Sequence, residues 1–404
     1  MQPTMNFLES GPPVLWRQVG GLAAVQGAIT LTWMIYRIYL PQLLAGFGFP
    51  GLDLGVQILE DALGVVVEPI MGGLSDQQRQ WMGTRFPLIS LGILLSSALF
   101  IVIPAIFIFG KPYVIFHWLL PVVLVGWALA MAVFRAPALS LLGQYAAKTK
   151  LPQAMSILIL TGGLAGAARP IASNFILSLG PAITFAIGSL VLLGAVAVLR
   201  SVKPDAAISE IPSDITANQK ISIPLLGLIG VTGMSIAWGT RLMLGEIFPK
   251  VLKTQIADAD VKLLMTGIAI ALAFASLLAG IVATRAGNQR SMLAGLAACA
   301  VFLQGLVFAQ GAATVWILII ALIASYSLVA NGAVPFALSL VPPHRGGLGV
   351  GVYFGGFSLA MSLYGFAFGP LWGIAQVQAA IVVAIAFLLA ATCITLSTIN
   401  NFRV

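Results

Sequence analysis

The stretch Glu68-Pro69-Ile70-Met71-Gly72-Gly73-Leu74-Ser75-Asp76, followed by Gly83-Thr84-Arg85-Phe86-Pro87, closes one long apolar segment and opens the next. A related stretch stands about half a chain later: Gly280-Ile281-Val282-Ala283-Thr284-Arg285, then Gly287 and Arg290. Two further matches keep the same order. Trp33-Met34-Ile35-Tyr36-Arg37 pairs with Trp238-Gly239-Thr240-Arg241, and Pro137-Ala138-Leu139-Ser140-Leu141 with Pro335-Phe336-Ala337-Leu338-Ser339-Leu340. The offsets are 204 from Arg37 to Arg241, 208 from Gly72 to Gly280 and 199 from Ser140 to Ser339, each close to half of the 404 residues. Three matches in one order identify an internal duplication.

Around these anchors the chain is 60% hydrophobic and 8% charged, with a mean hydropathy of +1.04. A soluble domain is about 45–50% apolar and about 25% charged. Twelve stretches reach the roughly 20 apolar residues that a membrane-crossing helix needs. They run over 19–45, 52–75, 86–109, 114–142, 153–179, 180–199, 222–249, 262–284, 291–309, 313–340, 347–374 and 376–400. The expected fold class is an all-α integral membrane protein of twelve transmembrane helices in two parallel six-helix halves. Residues 1–200 and 222–404 form the halves, joined by a polar linker over 201–221.

Basic residues orient the bundle. Numbering the loops from a cytoplasmic N-terminus, the inner segments hold Arg17, Arg79, Arg85, Lys148, Lys150, Arg200, Lys203, Lys220, Arg285, Arg290, Arg345 and Arg403. The outer loops hold Lys111, Lys250, Lys253 and Lys262. Cationic excess marks cytoplasmic loops, so both termini are expected inside a plasma (inner) membrane. The first apolar stretch is too long for a cleaved leader and reads as a retained span. A net charge of +8 is thus a topology signal rather than a nucleic-acid site. Cys299 and Cys393 lie in apolar spans with no partner nearby in sequence, and read as buried inert thiols. No metal-ligand spacing, phosphate loop or dinucleotide fingerprint occurs, so neither a cofactor nor enzymatic chemistry is expected.

The opening stretch resembles the span 2–3 signature of the major facilitator superfamily. More narrowly, it is similar to the branch of glycoside–pentoside–hexuronide:cation symporters and sucrose-type transporters, with their acid-Pro, glycine pair, Ser-Asp and Gly-Arg-Arg-Pro pattern. The sequence departs from that pattern at Gln77, Thr84 and Phe86, and Gly64 stands where the symporters carry the first acid of a pair. The resemblance implies a monomeric secondary transporter that moves a small polar organic solute, such as a sugar or glycoside, together with protons or sodium by alternating access. A drug or metabolite exporter is the alternative within that class. Outside transport stands a pigment-delivery or assembly protein of the same superfamily, whose span 2–3 loop is similar.

The polar residues inside the spans are the candidate machinery, since a charge at mid-bilayer costs about 2.5–3.5 kcal/mol on insertion scales. Four cations, Arg37, Arg135, Arg169 and Arg241, balance four acids, Glu60, Asp61, Glu68 and Glu246. Asp61 and Glu68 share one face of span 2, about 10 Å apart along the axis. They are candidates for ion coupling or, alternatively, neutralise neighbouring arginines. Glu60 points about 80° away from Glu68 and ranks below both. The resemblance implies that Arg135 partners a coupling acid or forms a gate charge. Arg169, nearer the midplane, can face a central cavity. Arg37 and Arg241 follow Trp33 and Trp238 on one helix face each, a pairing suited to a polyol substrate or to an interfacial anchor. Asp76, Arg85 and Arg285 belong to the inner loops, where the resemblance implies gating. The glycines of span 11 and of span 5 serve close helix packing or sliding.

Overall fold

The computed structural model describes residues 14–110, 114–202, 222–256, 260–368 and 376–401. Lys111, Lys203, Lys220, Arg403 and nearly all of the linker lie outside them. The described chain is helical: α1 (Trp16–Ala45), α2 (Asp53–Met82), α3 (Phe86–Phe109), α4 (Val114–Ser140), the short α5 (Leu142–Tyr145), α6 (Leu151–Ala167), α7 (Arg169–Ser178) and α8 (Gly180–Ser201) form the first half. The second half comprises α9 (Ile223–Leu242), α10 (Phe248–Gln255), α11 (Val261–Ala286), α12 (Asn288–Phe308), α13 (Ala312–Ser339), α14 (Gly346–Phe368) and α15 (Gln376–Asn401). Among the described residues, ten helical segments are long and apolar enough to cross a membrane, and the bent pair α6–α7 makes an eleventh. The remaining long helix is α2, 30 residues long and lined with Glu60, Asp61 and Glu68. The chain is a multi-pass integral membrane protein.

Two of the expected spans depart from a regular straight helix, each beside a proline. The fifth bends by 56° between α6 and α7, where Pro170 lacks the N–H that a continuous helix requires. The seventh runs from α9 through a π turn, Met243–Ile247, into α10. Pro249 there cannot donate to the carbonyl four residues back, and the helix widens by one residue to pass it. The second span outlasts its apolar run, which ends at 75, and continues to Met82. It stops at Gly83, whose φ of +71° supplies the left-handed cap.

Each half closes around its own apolar core, one built from α1–α8 and the other from α9–α15. Val334, Leu338 and Val350 of the second half join the first core. The halves meet along two crossings, α2 with α14 and α6 with α11. Both are made by glycine. A Cβ on Gly72 would collide with the backbone of Gly347, one on Gly351 with that of Glu68, and one on Gly280 with Ser156 and the Pro152 carbonyl. Gly72 and Gly280 are the repeat-equivalent glycines, so the duplication places one close approach on each side of the interface. At the second crossing Ser276 Oγ donates to the Ser156 carbonyl at 3.1 Å, and Asn331 Nδ2 donates to the Ser276 carbonyl at 2.8 Å. Small residues thus bring backbones together and hydrogen bonds join them, the usual substitute in lipid for a hydrophobic driving force.

Gly72→Ala overpacks the α2–α14 crossing and is expected to cost about 1–3 kcal/mol, read as a lowered Tm in detergent. Gly20→Ala serves as the control, because its Cβ meets nothing within 4 Å. Equal Tm values for the two variants would show that the crossing does not need its glycine.

Candidate functional site

Two polar clusters lie along α2, separated by about two helical turns. The first is built on Glu60, Asp61 and Glu68. Glu68 is fully buried because it faces α4, and Arg135 of α4 reaches it with two nitrogens. Nε lies 2.8 Å and Nη2 2.5 Å from Glu68 Oε1. The other carboxylate oxygen, Oε2, is buried and has no hydrogen-bond partner among the described residues. The Arg135 side chain keeps 22% of its surface exposed, and its guanidinium carbon lies 4.5 Å from the centre of the Phe354 ring on α14. The pair therefore spans the gap between the halves, with the acid behind and the cation in front.

About two turns back toward the start of α2, Glu60 is buried and accepts a hydrogen bond from the Tyr36 hydroxyl of α1. Arg37 Nη1 stands 3.3 Å from Glu60 Oε2, without hydrogen-bond alignment, so the two meet as charges. The Arg37 guanidinium also lies 5.0 Å from the Trp33 ring centre. Trp33 and Tyr36 pack in turn on Trp127 of α4, at 4.9 and 4.4 Å between centroids. Trp33 is thus committed to an aromatic cluster under Arg37. The low ranking of Glu60 from its angle alone overlooked Tyr36, which sits beside Arg37 on α1 and faces the same acid.

Asp61 is half-buried and has no ion pair within 4.0 Å among the described residues. It lies within electrostatic reach of Arg37, Arg135 and Arg241. Arg169, the first residue of α7, lies within reach of Arg37 and Arg241. Arg37 faces the buried Glu60, whereas Arg169 and Arg241 are exposed side chains. Arg241 lies 5.0 Å from the Tyr364 ring centre, and Trp238 packs edge-on against the same ring at 6.2 Å. Glu246 is taken up locally, with Lys250 Nζ at 3.3 Å and the Tyr364 hydroxyl donating to it at 3.1 Å. Of the six charged side chains expected for coupling or substrate, Arg37, Asp61, Glu68, Arg135, Arg169 and Arg241, Glu68 and Arg135 form a close ion pair, and Asp61 lies within electrostatic reach of Arg37, Arg135 and Arg241.

The second cluster is at the Gly83 end of α2. Asp76 and Arg85 are both buried and ion-paired. Asp76 also crosses to the second half: Gly347 N–H donates to Oδ1 at 2.9 Å and Leu348 N–H to Oδ2 at 2.8 Å. These are the first free N–H groups of α14, where a carboxylate is favoured by both hydrogen bonding and the helix dipole. Arg79 Nη1 adds a bond to the Pro343 carbonyl at 3.3 Å. Arg285 is not brought to this cluster. It is exposed, and among the described residues it has no ion pair. The repeat explains why: Thr284 occupies the position of Asp76, so the second half has an arginine at the loop and no acid to seat it.

No family model and no curated relative matches the sequence, but solved structures match the fold over nearly its whole length. A bacterial homologue of the iron transporter ferroportin, in an outward-facing state, superposes with a TM-score of 0.72 at 18% identity, covering 94% of this chain and 99% of that one. The human organic anion transporter MFSD10 (TETRAN) gives 0.70 at 13% identity, covering 95% and 100%. The major facilitator superfamily transporter FucP, in the outward conformation, gives 0.64 at 13% identity, covering 94% and 98%. The chain has the major facilitator fold.

Asp76→Asn removes the charge that holds both Arg85 and the α14 N-terminus, bonds worth about 1.5–3 kcal/mol each when charge-assisted. The expected result is a roughly 5–150-fold shift of population toward a state open at that end, seen as faster alkylation of a cysteine placed at Ser339. An unchanged alkylation rate would remove Asp76 from gating.

Proposed function

We propose that this protein is a secondary transporter that carries a small polar organic solute across the plasma membrane by alternating access, coupled to protons or another cation. The observation that carries this reading is the Glu68–Arg135 pair: a buried carboxylate with one unpartnered oxygen, fronted by a guanidinium that faces the interface between the halves. A cation arriving at Oε2 competes with Arg135 for the same charge. A proton there neutralises Glu68 and frees Arg135 to meet a solute or Asp61, which ties ion binding to cavity electrostatics. An interior holding Asp61 and four arginines favours a polar solute over a pigment or membrane lipid, for which an apolar lining would be suited. The matched structures are described with unlike cargoes, iron, organic anions and fucose with protons, and so support transport without selecting the substrate or its direction.

In this reading the halves 1–200 and 222–404 rock about the α2–α14 and α6–α11 crossings, with the linker 201–221 on the cytoplasmic side. The charge bias of the loops sets the Asp76 end inside. With the two halves fastened there by Asp76, the described conformation is closed to the cytoplasm. Both termini are then cytoplasmic and the functional unit is one chain.

Glu68→Gln keeps the shape and one hydrogen bond to Arg135 but cannot titrate. In proteoliposomes it is expected to abolish accumulation driven by a proton or sodium gradient while solute exchange without a gradient persists. Uphill transport by this variant at the native rate would return Glu68 to a purely structural partnership. Glu60→Gln, tested in parallel, separates the two acids: retained accumulation assigns coupling to Glu68 alone.

A further inference from the structure

The Asp76 latch has a titratable neighbour. His344 is the middle residue of the short turn Pro343–Arg345, which leads directly into the end of α14 that Asp76 holds. The turn is fastened on both sides of it. The Pro343 carbonyl accepts from Arg79 Nη1 at 3.3 Å, and the Gly347 and Leu348 N–H groups donate to Asp76 at 2.9 and 2.8 Å. The backbone of His344 is therefore held in place while the latch is closed. Its side chain is half-buried, and Nδ1 is buried with no hydrogen-bond partner among the described residues.

The charges around this imidazole are mostly of one sign. α2 supplies Arg79 and Asp76. The loop after α2 supplies Arg85, whose guanidinium nitrogen lies 3.8 Å from where a Cβ on Gly346 would stand. The turn itself adds Arg345, and α14 adds the positive end of its dipole. Against three arginines and a helix end stands one carboxylate, already committed to Arg85 and to two N–H groups. The other acids among the described residues lie within the spans or at the opposite helix ends. Burial and the charge of Arg345 hold the imidazole below the ordinary histidine range, with Arg79 adding to the effect and Asp76 opposing it.

We propose that His344 is a pH-sensitive release for the latch: the neutral imidazole lets the Asp76 contacts form, and a proton on it opens the end that Asp76 holds shut. This rests on the gating role of Asp76 within the transport reading. A proton makes both ring nitrogens donors, and the buried Nδ1 has no acceptor waiting for it. It also adds a fourth cation facing a single carboxylate. The imidazolium either draws Asp76 away from α14 or leaves its place in the turn, and both part α2 from the α14 N-terminus. Because the closed latch lowers the proton affinity of His344, the latch is at full strength above about pH 6.5, the ordinary histidine value, and weakens as pH falls below it. With the loop charges placing this end inside, the signal read is cytoplasmic acidity.

The test is the alkylation rate of a cysteine placed at Ser339 in the full chain in nanodiscs, followed from about pH 8 to about pH 5.5, across the histidine range. Each rate is divided by that of glutathione at the same pH, which removes the titration of the thiol itself. The native ratio is expected to rise roughly fivefold or more on acidification. His344→Gln is expected to give a flat, slow profile, and His344→Arg, charged throughout, a fast one at both ends of the range. A flat native profile overturns the inference and needs no variant to fold. An equal rise in His344→Gln, with its Tm unchanged in detergent, overturns it too, since the titrating group then lies elsewhere. Asp76→Asn separates this inference from the gating role. If that variant is fast at every pH while the native profile is flat, gating stands and His344 is dropped. If it is as slow as the native protein at about pH 8, above the histidine range, gating falls and the inference with it.

Discussion

A charge in hydrocarbon must find a partner or a water-filled space, and that constraint arranges the interior of this protein. Insertion scales place the cost near 2.5–3.5 kcal/mol for each arginine or aspartate at mid-span. Four arginines and four acids stand on five spans, and five of the eight are paired: Arg37 with Glu60, Arg135 with Glu68, and Glu246 with Lys250. Each pair joins two helices or two turns of one, so the charges that are costly in lipid also fix how α1, α4 and α10 sit against their neighbours. α2 carries three of the acids. It therefore cannot face lipid on that side, and it packs against α4 and α14 instead. Among the described residues Asp61, Arg169 and Arg241 have no ion pair within 4.0 Å.

The duplication is symmetric in packing and asymmetric in charge. Gly72 and Gly280 are equivalent and both permit backbone contact across the halves. Gly83 and Gly287, with φ of +71° and +94°, end equivalent helices. Asp76 and Thr284 are equivalent too, and only the aspartate can fasten a helix N-terminus across the interface. The α2–α14 crossing therefore has a charged latch, whereas the α6–α11 crossing is held by packing and by the Ser276 hydroxyl on the Ser156 carbonyl. Two crossings of unequal strength suit a hinge, since opening needs one side to release while the other persists.

Much of the fold was legible because the physics that selects a membrane helix is read directly from apolar length. Among the described residues every expected span falls on helix, and the last residues of the span expected over 347–374 lie outside them. The departures fall where local chemistry overrides hydropathy. Pro170 bends a span that reads as straight, Pro249 widens another into a π turn, and α2 runs on past its apolar end because Gly83, not the change in polarity at Asp76, terminates it. The pairing of buried charges was only partly legible. Angular position on α2 places Glu68 and Asp61 on one face, but partner choice depends on how α1 and α4 approach, which a single helix does not encode. Glu60 was undervalued for that reason, as its two partners, Tyr36 and Arg37, are adjacent on another helix. Arg285 was grouped with the gate because it lies in an inner loop, yet a latch like that of Asp76 needs an acid at position 284, and the sequence has threonine there.

The coupling acid of the proposed mechanism and the latch stand on the same two helices. Glu68 and Asp76 are eight residues apart on α2, about 12 Å along the axis. Opposite them, α14 lays Gly351 against the Glu68 backbone and Gly347 against Gly72 and Asp76. Arg135, held by Glu68, rests on Phe354 of that helix. A change of charge at Glu68 alters where Arg135 sits, and Arg135 cannot move without changing its contact with α14. Because the backbones of α2 and α14 touch at Gly72 and Gly351 with no side chain between them, there is no soft layer to absorb the displacement before it reaches the N–H groups that Asp76 holds. Packed elements of this kind switch between discrete arrangements rather than deform continuously. On that argument the glycines of α14 do more than save space: they make the crossing stiff enough for an ion bound at Glu68 to be felt at the gate.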